Sequence, residues 1–129
     1  MTETSPPAAK PEHSPDTLAK RCVEICEDRK AQDIELYDLT DISLIADFCL
    51  ICSASSEPHI RAISNRLRKD LADEGVRPDH IDGDASSRWI VMDYGTVLVH
   101  IFHPEVRDFY RLEELWENGR RVYEGPAEV

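Results

Sequence analysis

One short run of residues constrains this chain more than any other. Asp47 is followed by Phe48-Cys49-Leu50-Ile51-Cys52, which ends in Ser53-Ala54-Ser55-Ser56. A strand with one wet face alternates apolar and polar residues, so five consecutive apolar positions predict a strand covered on both faces. The cover is written on either side of it. Ser14-Pro15-Asp16 reads as an N-cap with proline in the first turn, and Leu18, Cys22 and Ile25 recur at helical spacing, giving a helix over roughly 15–30. Ile34-Glu35-Leu36-Tyr37-Asp38 alternates as a half-buried strand does. Ser55-Ser56-Glu57-Pro58 opens a second helix over roughly 57–74, with Ile60, Ile63, Leu67 and Leu71 as its apolar stripe and Gly75 closing it.

The rest of the chain reads as a short strand at Ile81-Asp82-Gly83-Asp84 and then a hairpin. Its arms are Trp89–Asp93 and Val97–Phe102, joined by a two-residue Tyr94-Gly95 loop that places Tyr94 at an exposed tip. Pro104-Glu105 starts a terminal helix in which Phe109, Leu112, Leu115 and Trp116 keep a spacing of three or four until Gly119. The organisation expected is a disordered tail over 1–14, a domain over 15–118 and a loose polar tail over 119–129. The fold class expected is α/β, a mixed β-sheet with flanking helices.

Composition narrows the function. The 129 residues carry 15 basic and 26 acidic side chains, a net charge of −11, which disfavours naked nucleic acid as the primary ligand. No run approaches the roughly 18 apolar residues of a membrane span, and Met1–Lys10 lacks the core of a secretory signal, so a cytoplasmic protein is expected. Cys22, Cys26, Cys49 and Cys52 are then expected as reduced, buried thiols. Cys49 and Cys52, three apart on a strand, should face opposite sides and neither chelate zinc nor pair with each other.

Signals for catalysis are sparse. There is no Gly-rich phosphate loop, zinc-protease helix or nucleophile elbow. Ser53–Ser56 lies between a strand and a helix N-terminus, the geometry of an anion site. A nucleotide-transferring enzyme also needs paired carboxylates for magnesium, and the strands near this loop offer Asp38, Asp47 and Asp93 singly. His59, His100 and His103 are read as packed or hydrogen-bonded rather than metal-binding, because His100 and His103 face apart on extended chain. The basic face of helix 57–74, with Arg61, Arg66, Arg68 and Lys69, reads as a solvated surface. No catalytic residue, metal ligand or cofactor is expected. Aromatics at exposed features, Trp89, Tyr94 and Tyr110, are residue types that anchor interfaces.

Several blocks together resemble the ribosomal silencing factor (Iojap) family. They are Asp47-Phe48, Ile51 through Ile60, Trp89-Ile-Val-Met-Asp-Tyr-Gly95, Val99-His-Ile-Phe102 and Glu105 through Trp116. The resemblance implies a nucleotidyltransferase-like fold without the catalytic carboxylates, and a non-enzymatic role. It implies binding to the large ribosomal subunit through its protein L-fourteen, blocking of small-subunit joining, and repression of translation. A large-subunit assembly role is the alternative, with an enzyme using the Ser53–Ser56 loop a more distant one. Homodimers are common in such families. The contact surface it implies is Trp89, Tyr94, Arg107, Tyr110, Leu112 and Glu113.

Overall fold

A computed structural model describes residues 13–116 and 119–124. In chain order the elements are α1 (Pro15–Asp28), β1 (Gln32–Asp38), β2 (Phe48–Ser53), α2 (Glu57–Asp73), β3 (His80–Asp84), β4 (Trp89–Asp93), β5 (Val97–Phe102), α3 (Pro104–Tyr110) and β6 (Arg120–Glu124). Short 3-10 turns occupy Ala85–Ser87 and Leu112–Trp116. The strands form one six-stranded sheet in the order β3-β4-β5-β2-β1-β6. Only β2 and β5 run parallel, with α2, β3 and β4 lying between them in sequence. This is the mixed sheet expected.

The apolar run occupies the centre of that sheet. All six residues of β2 are buried, with β1 antiparallel on one side and β5 parallel on the other. Alternation divides its side chains between two cores. Phe48, Leu50 and Cys52 join Leu18, Cys22, Ile25, Ile60, Ile63, Leu67 and Leu71 beneath α1 and α2. Cys49 and Ile51 join Tyr37, Leu39 and Phe102 on the opposite face, where Val106, Leu112 and Trp116 complete the cover. Cys49 and Cys52 therefore do lie on opposite faces, as the strand reading requires, and all four cysteines are free and buried. Burial pushes the Cys22 and Cys49 thiols up to about 12, which keeps them protonated and poor as metal ligands or nucleophiles.

Both long helices begin as the sequence predicts. Ser14 accepts from the Thr17 amide and Ser56 from the His59 amide, each with proline in the first turn. Of the expected tail over 1–14, residues 1–12 lie outside the described residues. His13 and Ser14 are engaged: His13 Nε2 is 2.8 Å from Glu74 Oε1, and Ser14 caps α1.

Three expectations about the C-terminal half are corrected. The hairpin turn is Gly95-Thr96 rather than Tyr94-Gly95, because the Tyr94 amide donates to the Val97 carbonyl and makes them the closing pair. A one-residue shift reverses the face of a side chain, and Tyr94 points into the α1/α2 core, only 8% exposed. The terminal helix is short, because Arg111 turns left-handed at φ 51° and splits it into α3 and the 3-10 turn. Finally, residues 120–124 are not loose. They form β6, antiparallel to β1, and the Tyr123 hydroxyl donates to Glu27 of α1 while Arg120 pairs with Asp38. Residues 125–129 of the expected tail lie outside the described residues.

Candidate functional site

The sheet face opposite α1 and α2 carries the features that bear on function. At its centre is Arg107, on α3. Its guanidinium Nη1 donates to Ser53 Oγ (2.9 Å) and to the Asp33 carbonyl (2.7 Å), and Nε donates to Glu113 Oε2 (3.2 Å). Nη2 lies 3.4 Å from Glu35 Oε1. One side chain thus ties α3 to β1, β2 and the 3-10 turn, using the fork of donors that lysine lacks. The expectation that Arg107 meets a partner is corrected: at 7% exposure it is a buried clamp. Glu113 is one jaw of it, and Leu112 packs inward against the second core.

Arg107 also occupies the loop considered for anion binding. The Ser53 hydroxyl accepts from it, and Ser56 Oγ is spent on the α2 cap. The chain does contain one Asp-x-Asp, Asp82-Gly83-Asp84, which a search confined to strands near that loop passes over. It lies on β3 at the sheet edge, separated from β2 by β4 and β5. Asp84 Oδ1 accepts from Ser86 Oγ and the Ser87 amide, bonds that hold its carboxyl below the usual range. Among the described residues no group of three or more His, Cys, Asp or Glu side chains is placed to hold a metal.

Beside the clamp, aromatic rings climb from the core to the surface. Trp89 stacks on buried Phe102 at 4.7 Å between centroids and touches Tyr110 at 4.9 Å. Phe109 then meets Tyr110 edge-on at 5.0 Å. Phe109 is 78% and Tyr110 57% exposed, and Leu115 is 66% exposed. Spacing alone assigns Phe109 and Leu115 to a buried helical stripe. In α3 it is Arg107 that faces inward, which leaves Phe109 in water, and Leu115 follows the break at Arg111; adjoining apolar rings left in water, as Phe109 and Tyr110 are, are what a docking site displays. Trp89 itself is half-buried, its position fixed by close approach of β3: Gly83 sits at φ 80°, and any Cβ there would run into the Trp89 carbonyl.

The Trp89 indole Nε1 donates to His100 Nδ1 at 3.2 Å. That bond needs a neutral imidazole, and burial lowers the His100 pKa from 6.5 to about 4. The unfolded chain therefore takes up this proton near pH 6.5 and the folded chain only near 4. Stability falls as pH drops through that window, by about 3 kcal/mol at 1.4 kcal/mol per unit. Asp38, held at about 2 by bonds from Thr40 and Arg120, loses its contribution lower, below about pH 4. Denaturant titrations at pH 7, 5.5 and 4.5 should show the loss, and His100→Asn should flatten it. A wild-type slope surviving in that variant would refute the assignment.

Tyr94 yields another expectation. Its hydroxyl is buried with no hydrogen-bond partner among the described residues, a cost to the fold of about 1–3 kcal/mol. Tyr94→Phe should therefore hold or raise Tm. A fall of several degrees would mean that the hydroxyl is satisfied after all.

A six-stranded mixed sheet, sealed by two helices on one face and carrying an aromatic ledge on the other, defines a small α/β domain. The X-ray crystal structure of a protein from Chromobacterium violaceum has the same architecture, with TM-score 0.78 and 27% identity over 89% of this chain and 95% of that one. The family model described as "Ribosomal silencing factor during starvation" matches residues 11–128, and this chain belongs to that family. It is 40% identical over 101 residues to "Ribosomal silencing factor RsfS" of Bacillus subtilis, covering 78% of this chain and 85% of the relative. It is also 29% identical over 97 residues to "Mitochondrial assembly of ribosomal large subunit protein 1" of mouse, covering 73% of this chain and 42% of that protein.

Proposed function

We propose that this protein is a cytoplasmic, non-enzymatic silencer of translation. It binds the large ribosomal subunit through ribosomal protein L-fourteen, stands in the path of the small subunit and blocks their joining. The observation that carries the reading is the ledge of Trp89, Tyr110 and Phe109, an apolar docking patch on a chain of net charge −11. Aromatic anchors supply interface affinity. The net negative charge of the chain favours encounter with a basic ribosomal protein. The names of the Bacillus subtilis and mouse relatives support the same target. We read the sheet as nucleotidyltransferase-like with its catalytic role absent: Ser53 and Ser56 are engaged internally, and Asp82 and Asp84 sit at the far edge of the sheet.

The mouse relative's name favours a second reading, assembly of the large subunit. Both readings share the docking step and diverge only after it. Sedimentation through sucrose with each purified subunit tests the shared step: the protein should travel with the large subunit and not the small. Adding small subunits should then give fewer joined ribosomes than in its absence. Co-sedimentation without loss of joining would favour assembly, and no co-sedimentation would overturn both.

A further inference from the structure

Away from the ledge, a cavity of about 740 Å³ opens between the flank of α2 and the segment leading into β3. Arg68, Lys69, Arg77 and His80 line it, with Asp79 as its carboxylate. In a chain with eleven more acids than bases, most cations find carboxylates: Arg21 holds Glu74, Arg66 holds Asp70, Arg107 holds Glu35 and Glu113, and Arg120 holds Asp38. Lys69 likewise meets Asp73 at 3.1 Å. Arg68 and Arg77 are exposed and form no ion pair among the described residues. Arg61, also exposed, lies two turns before Arg68 on the same helix, about 10 Å along its axis. The basic strip thus runs from the α2 flank into the cavity.

The lining says which polyanion fits. No Phe, Tyr or Trp lines the cavity and His80 is the one ring in it, so it offers no row of platforms for stacking successive bases. It lies on the flank of α2 far from the helix N-terminus, so no fan of main-chain amides converges on it as in a mononucleotide phosphate site. What it offers is point charges spaced along a groove, the chemistry of a nucleic-acid backbone. Its position is separate from the ledge: β3 begins beside Asp93, one end of β4, whereas Trp89 is the other end. We propose that this cavity takes the phosphate backbone of ribosomal RNA next to the protein contact, so that the docked molecule is held by an apolar ledge on protein and a basic groove on RNA. The proposal rests on the docking reading above. It also reconciles an acidic chain with an RNA-rich target, because Arg68 and Arg77, cations with no ion pair among the described residues, are gathered at one groove of a chain whose net charge is −11.

The test compares wild type with Arg68→Gln/Arg77→Gln in binding to the purified large subunit between 50 and 200 mM salt. Each phosphate contact contributes about 0.7–0.9 to the slope of log affinity against log salt. Losing two contacts should lower that slope by about 1.4–1.8, so the wild-type advantage should shrink about tenfold across this range. The Arg68→Lys/Arg77→Lys variant, which keeps the charges, should retain most of the slope. Binding to isolated ribosomal protein L-fourteen should be the same for all three proteins. Equal thermal unfolding of all three establishes that the surface alone was changed. An unaltered slope in the glutamine variant, with wild type bound, overturns the groove and leaves the docking reading standing. Equal weakening toward isolated L-fourteen assigns the groove to protein and also overturns it. Failure of wild type to bind the subunit overturns the docking reading and the groove together.

Discussion

Replacing Arg107 by methionine should lower the stability of this protein as much as truncating a buried core ring would. Methionine keeps much of the stem's packing but removes the donors that reach Ser53, the Asp33 carbonyl, Glu35 and Glu113. Two carboxylates would then face each other's field with no cation between them beyond the more distant Arg121. Removing one partner from a buried ionic cluster costs about 3–5 kcal/mol, because the charges left behind remain desolvated. In a domain of this size that is a fall in Tm of at least about 10 °C. Arg107→Lys should recover only part of it, since one ammonium cannot span four acceptors in three directions. Thermal unfolding of the three proteins at pH 7 gives the answer. A methionine variant within about 2 °C of wild type would show that the clamp contributes geometry without stability.

The ledge should behave in the opposite way. Tyr110→Ala and Phe109→Ala remove rings that contact each other, and Tyr110 also touches Trp89, but both rings stand mostly in water. Truncating them should shift Tm little. At the centre of an interface such rings are worth about 2 kcal/mol each, roughly thirtyfold in affinity. Each variant should bind the large subunit at least about tenfold more weakly. A pelleting assay at fixed salt measures this, and wild-type binding by both variants would move the contact elsewhere. Tyr94→Ala, in contrast, should damage folding first, because its ring lies in the α1/α2 core.

What can be read from the sequence, and what cannot, divides along physical lines. The unbroken run 48–52 declares a central strand because nothing but burial on both sides tolerates five apolar residues in succession. The caps at Ser14 and Ser56 are legible because each puts a hydroxyl one or two residues before a proline and at the head of an apolar stripe of helical spacing, a combination that marks a helix N-terminus. Tyr94 is misplaced by one residue. Glycine at 95 signals a tight turn without saying which position of the turn it fills, and one position decides between core and solvent. Arg107 reads as a contact only through the family resemblance, because the local sequence says nothing of what its guanidinium meets. Its four partners come from β1, β2 and the turn beyond α3, and no local pattern reports so distant a meeting. Phe109 and Leu115 are hidden by a spacing that continues through Arg111 although the helix does not. Strand β6 has too few apolar residues to announce itself, since it lies at an edge and borrows its order from β1.

That last strand sets a timetable. The first strand pairs with the last, with Asp38 and Arg120 in register across 82 residues of sequence. During synthesis β1 and β2 can form as soon as residue 53 has emerged, yet one side of β1 stays bare until residue 124 is free. An uncovered strand side is a template for other chains, and contacts this far apart in sequence are slow to form. The interval between translating β1 and the emergence of β6 is therefore when a newly made copy is most prone to aggregate, and a message cut short before codon 120 would leave that interval permanently open.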